Sequence, residues 1–235
     1  MDNMIKNKEM KVKQLSENFI EYVNSCEDYR SYDASAYLYL LLLNKYIIGK
    51  ELGNAFNESD FFELLYATLC SWDMNTRGAK LREFKDFKIS IIENKEHIIK
   101  LQKYRIEELK ESQLNNEVFP QLENIFKNLK IANNKTQIVS LSKTLHFMLP
   151  YLIMPIDRRY TMSYLYGYDN YSDDWKSEFK TFKEIFSFFH EVTKNANIAN
   201  LNNKSLIRKR LNTSVTKILD NAIIGYVREQ NKIKE

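Results

Sequence analysis

The chain has 235 residues, 44% of them hydrophobic and 13% aromatic, with 35 basic and 31 acidic side chains and a net charge of +4. That length and hydrophobic share support a core without disulfide or metal staples, and they exclude intrinsic disorder, which needs low hydrophobicity with high net charge. Five glycines and three prolines argue against sandwiches, barrels and Rossmann folds and leave no glycine-rich phosphate loop.

Helical periodicity then runs along the chain. Leu15, Phe19, Tyr22, Val23 and Cys26 fall on one helical stripe. Tyr37 to Ile48 is apolar nearly all round, which predicts a buried helix, and at twelve residues it is too short to cross a bilayer. Asp60 and Glu63 offer a capping pair for a helix that ends near Trp72. Glu93 to Glu111 is dense in charge and predicts one long exposed helix. Val118 to Ile131 is amphipathic and stops at Asn133-Asn134. Ile138 to Leu149 is a helix stopped by Pro150, and Pro155 makes 150–156 an extended connector. A helix from Arg158 to Tyr166 ends at Gly167, another starts at Asp173-Asp174-Trp175, and the last begins near Ser214.

These segments predict an all-α fold, a compact multi-helix domain over 1–235 with room for two lobes and a cleft: about 34–135 as a central lobe, and 1–33 with 136–235 as the second. No apolar signal core opens the chain, so it reads as soluble and cytoplasmic, with no membrane partner. Cys26 and Cys70 set no disulfide framework. His97, His146 and His190 lack metal-ligand spacing, so neither a metal nor another cofactor is expected; His146, beside Phe147, reads as a satisfied core residue.

Charge is uneven. Residues 201–235 carry eight basic and three acidic side chains, with Lys204, Arg208, Lys209 and Arg210 the densest cluster. Such a cluster can neutralise phosphates, and it is equally the composition of a solvated helix face.

The most informative stretch is Ser142-Lys143-Thr144-Leu145-His146 followed by Pro155-Ile156-Asp157-Arg158-Arg159-Tyr160. The lysine opens a strongly apolar helix, and at the buried end of such a helix it needs an acceptor. An aspartate that opens the next helix is stabilised by free N–H groups. Taken alone, the two are a snorkelling surface lysine and an N-cap.

Together they resemble the helix-hairpin-helix DNA glycosylase superfamily. There, a helix with a Lys-Thr-Ala-like start is followed by a proline-containing connector and a Val-Asp at the next helix. Lys143-Thr144 and Ile156-Asp157 stand in those places. Upstream, Phe62-Glu63-Leu64-Leu65-Tyr66-Ala67-Thr68-Leu69-Cys70-Ser71 looks like the family's early helix, which precedes a loop that touches DNA. The departures are plain. The family's hairpin glycines are replaced by Ile138-Val139-Ser140-Leu141-Ser142, and its iron–sulfur cysteines are absent.

The resemblance implies Lys143 and Asp157 as catalytic residues acting on a base flipped from duplex DNA. It also implies a DNA contact loop with Trp72, Asn75 and Arg77. Phosphate contacts would come from Arg158, Arg159, Lys204, Arg208, Lys209 and Arg210. The alternative is a non-catalytic helical domain that binds DNA or protein.

Overall fold

The computed structural model describes residues 5, 7–28, 33–75, 80–167, 174–196 and 211–232. The helices are α1 (Lys8–Glu17), α2 (Phe19–Asp28), α3 (Ala34–Leu42), α4 (Leu52–Ala55), α5 (Ser59–Leu69), α6 (Phe84–Glu93) and α7 (Lys95–Leu101). They continue with α8 (Glu111–Gln113), α9 (Phe119–Asn128), α10 (Ile138–Met148), α11 (Ser163–Tyr166), α12 (Trp175–Asn195) and α13 (Val215–Lys232). Among the described residues there is no strand, only an isolated antiparallel bridge between Leu81 and Ala132, so the all-α class stands. No helix among them is long and apolar enough to cross a membrane.

Local chemistry explains many of the boundaries. Asp33 caps α3 by accepting the N–H of Ser35, and Asp174 caps α12 by accepting those of Lys176 and Ser177. Pro120 stands in the first turn of α9, where its missing N–H costs nothing. α10 stops two residues before Pro150, and Gly167 closes α11 with a left-handed φ of 76°.

Three expectations need correction. Asp60 and Glu63 do not cap α5: Glu58 stands at its N-cap without a side-chain bond, and Asp60 pairs with Lys45. Glu93 to Glu111 is not one exposed helix. It breaks at Asn94, whose amide donates to the Ser90 carbonyl at 2.8 Å. Ile98, Leu101 and Ile106 within it are fully buried, so an apolar stripe under the charges drives the segment onto the core. The Tyr37 to Ile48 helix is buried on one face only: Tyr39 and Leu42 are at 0% exposure, whereas Tyr37 and Ile48 are at 52% and 41%.

One contiguous apolar cluster runs from Ile5 to Ile223. The chain's beginning folds back on its end: α1 lies on α12 and α2 on α13. Lys11 pins α1 further by donating to the carbonyls of Tyr164 and Leu165. α10 runs through this core with ten of its eleven residues buried, and it carries Lys143.

Candidate functional site

Lys143 is 8% exposed. A buried ammonium without acceptors would be costly, and two acceptors are supplied. Asp157 Oδ2 and the Trp72 carbonyl each lie 3.4 Å from its Nζ. The lysine comes from the middle of α10 and not, as expected, from its opening end; the aspartate comes from the end of the proline connector. The two carry chemistry to one point from fourteen residues apart.

Asp157 divides its carboxylate. One oxygen faces Lys143, and the other accepts the Arg159 N–H at 2.8 Å, capping the wide helical turn Arg158–Met162. The cap and the lysine contact therefore coexist. The Asp157 side chain is 33% exposed against 11% for Lys143, so solvent or a ligand reaches the carboxylate first. The backbone around it is fixed as well: Asp157 N–H donates to Thr161 Oγ1 at 3.3 Å, and Ile156 N–H to Ser142 Oγ at 3.0 Å.

Trp72 reaches the site by its carbonyl. It lies in the wide turn Cys70–Met74 that continues α5, where the backbone leaves helical geometry and Asp73 takes a φ of 65°. Its ring is half-buried, edge-on to Phe147 at 4.8 Å and tilted against Tyr39 at 5.4 Å. The Lys217 ammonium sits 4.9 Å from the ring centroid. Asn75 bridges Cys70 and Leu81: its Oδ1 accepts the Leu81 N–H and its Nδ2 donates to Cys70 Sγ. Arg158 and Arg159 are exposed beside Asp157. Arg77, Lys204, Arg208, Lys209 and Arg210 lie outside the described residues.

Beneath the pair, His146 is the satisfied core histidine that the sequence suggested, in a polar network whose other members sequence reasoning missed. His146, one turn past Lys143 on α10, is fully buried. Its Nδ1 pairs with the Ile153 carbonyl at 2.7 Å and its Nε2 with the Tyr39 hydroxyl at 2.9 Å. The carbonyl can only accept, so Nδ1 carries the proton and Nε2 takes the hydroxyl's. Burial pushes the His146 pKa down to about 3, opposed by the Ile153 carbonyl and reinforced by Lys217. Tyr39 in turn meets Thr213 Oγ1 at 2.8 Å. Lys217 and Asp220 form a buried ion pair one turn apart on α13. The available signal was two opposite charges, three apart, within the apolar run that opens α13.

The N-terminus of α10 is also occupied. Glu178, 4% exposed, reaches across from α12 and accepts the N–H groups of Gln137 at 2.6 Å and Ile138 at 3.1 Å. Burial raises its pKa to about 7, against the lowering effect of those two bonds. In the glycosylase pattern, the hairpin before the lysine helix offers backbone amides to a DNA phosphate. Here Ile138 to Ser142, where the resemblance would put that hairpin, form the first turns of α10, and the Glu178 carboxyl group takes the amides at its end. Cys26 and Cys70 are not joined in a disulfide, and no acidic, histidine or cysteine cluster among the described residues could hold a metal ion.

Comparison of the chain with protein-family models, with characterised proteins and with solved structures finds no match.

Proposed function

We propose that this chain is a divergent DNA-glycosylase-like protein that binds DNA and excises a modified base. The observation that carries the reading is the 3.4 Å approach of Lys143 Nζ to Asp157 Oδ2 across the proline connector. In this reading a nucleotide is flipped from the duplex and its sugar faces the pair. Lys143 transfers a proton to Asp157 and its amine attacks C1′. The glycosidic bond breaks, and the base leaves with the electron pair and takes up a proton. The lysine–sugar adduct then opens to a Schiff base. If water attacks instead, Asp157 stabilises the positive sugar and accepts the water's proton.

Arg158 and Arg159, exposed on the turn that Asp157 caps, would hold the phosphates. They replace the grip lost where Glu178 fills the α10 N-terminus. That occupied helix end also favours a second reading, a helical domain that binds DNA or protein without catalysis, since the family's phosphate contact is not available at that point.

Borohydride trapping on duplexes carrying a panel of damaged bases separates the two. A covalent adduct lost in Lys143→Ala supports attack by lysine. Base release without an adduct, lost in Asp157→Asn, supports the water route. Neither adduct nor release on any substrate, with the chain folded by circular dichroism, rejects catalysis and leaves the binding reading.

A further inference from the structure

Where α10 ends and the chain turns at Pro150 and Tyr151, a cleft of about 360 Å³ opens to solvent. Its size falls within the range of small-ligand sites, roughly 300–1,000 Å³. Three cationic side chains line it, Lys50, Lys103 and Arg105, against one acidic one, Glu51. Tyr104 and Tyr151 line it as well, and the buried residues Leu101, Met148 and Leu152 lie behind them.

The cations have a competing explanation. The helical segments ending at Ile47, Leu101 and Met148 point their C-termini at this region, and positive charge is stabilised there. Lys50 fits that account, because its ammonium donates to the Lys45 carbonyl. Arg105 does not. Its guanidinium stacks over the Tyr151 ring at 4.2 Å, and it forms no ion pair among the described residues. Lys103 is drawn to Glu117 at 3.8 Å, an exposed and loose pair. Glu107 lies within electrostatic reach of Arg105 but forms no ion pair with it, so a planar guanidinium held on an aromatic face keeps N–H groups to take an anion. The same stack presents a flat surface to an aromatic ring.

From these features we infer that the cleft binds a nucleoside monophosphate. The base packs against the Tyr151 and Arg105 wall, and the phosphate is held by Arg105 with Lys103. The shared chemistry admits two sources, a free nucleotide or the terminal nucleotide of a strand. This site stands apart from base excision, since the polar partners of Lys143 and Asp157, namely Trp72, Thr161 and Arg159 besides each other, are not among its lining residues.

Calorimetric titration of the full chain tests it, with AMP, adenosine, inorganic phosphate and a 5′-phosphorylated oligonucleotide as separate ligands. AMP is expected to bind saturably, and adenosine and phosphate each about tenfold or more weaker, because both halves of the site are needed. Arg105→Ala should weaken AMP by about tenfold or more with its melting temperature unchanged. Should that variant misfold, Arg105→Gln gives the same readout. An oligonucleotide that binds more tightly than AMP assigns the strand end, and one that binds more weakly assigns the free nucleotide. No saturation by millimolar AMP, or equal affinity in a folded Arg105 variant, overturns the site.

Discussion

Ser142 Oγ accepts the backbone N–H of Ile156 at 3.0 Å, one residue before Lys143 on one side and one residue before Asp157 on the other. The same hydroxyl donates to the Val139 carbonyl at 3.0 Å and is fully buried. The lysine–aspartate separation is therefore held by a buried hydrogen bond between the two strands of chain that carry them, as well as by the reach of the proline connector. His146 adds a second tie, from α10 to the Ile153 carbonyl.

Ser142→Ala removes this clamp and adds no bulk. It leaves the Ile156 N–H, in a residue 1% exposed, without its acceptor. Stranding a buried donor costs about 1–3 kcal/mol, and urea denaturation should show a loss in that range. A change smaller than about 0.5 kcal/mol, the ordinary scatter of surface substitutions, would mean that the connector holds its place without Ser142. In the excision reading, the variant should also trap DNA more slowly than its stability loss alone explains.

Gly225 sits in α13 where that helix crosses α2. A Cβ there would stand 1.9 Å from the Tyr22 carbonyl oxygen and 2.8 Å from its carbon. Two effects oppose each other in Gly225→Ala. Helix propensity favours alanine by about 1 kcal/mol. The clash is with backbone, which cannot rotate away, so the helices must separate at a cost on the order of 3 kcal/mol. The clash wins, and thermal unfolding should show a clear net loss of stability. A variant as stable as the parent would mean that α2 and α13 do not approach this closely.

Local signals made much of the fold legible in the sequence. Asp174 before Trp175, Pro150 after α10 and Gly167 after α11 act on neighbouring backbone, so their effects can be read without a partner. The stripe Leu15, Phe19, Tyr22, Val23 and Cys26 fixes a helix face in the same way, and all five are buried. Asn94 was harder, because its break depends on a side chain turning back to Ser90 inside a charge-rich stretch. The candidate site was legible as two residues flanking a proline connector, and only through a family resemblance. Glu178 was not legible at all as the cap of α10: its partners lie about forty residues away in sequence. Periodicity carries no information about such a contact. The Lys217–Asp220 pair is local, but its burial is set by helices that pack over it.

Glu178 and His146 titrate in opposite senses, and the pH dependence of stability should reveal both. Glu178 rises from 4.5 to about 7 on folding. Its protonated form is favoured in the folded state, so its contribution is complete below pH 4.5 and is lost as the pH rises through 7, on the order of 3 kcal/mol in all. His146 falls from 6.5 to about 3. Its contribution is complete above pH 6.5 and is lost as the pH falls toward 3. Between pH 4.5 and 6.5 the two slopes nearly cancel. Glu178→Gln keeps an acceptor for the α10 N-terminus and removes one side of the balance. Relative to the parent, it should gain on the order of 3 kcal/mol between pH 4.5 and pH 8, and its own stability should fall steeply on acidification where the parent's is nearly level. Urea midpoints at several pH values measure both curves. A parent–variant difference that stays constant with pH would show that the Glu178 carboxyl titrates alike in the folded and unfolded chain.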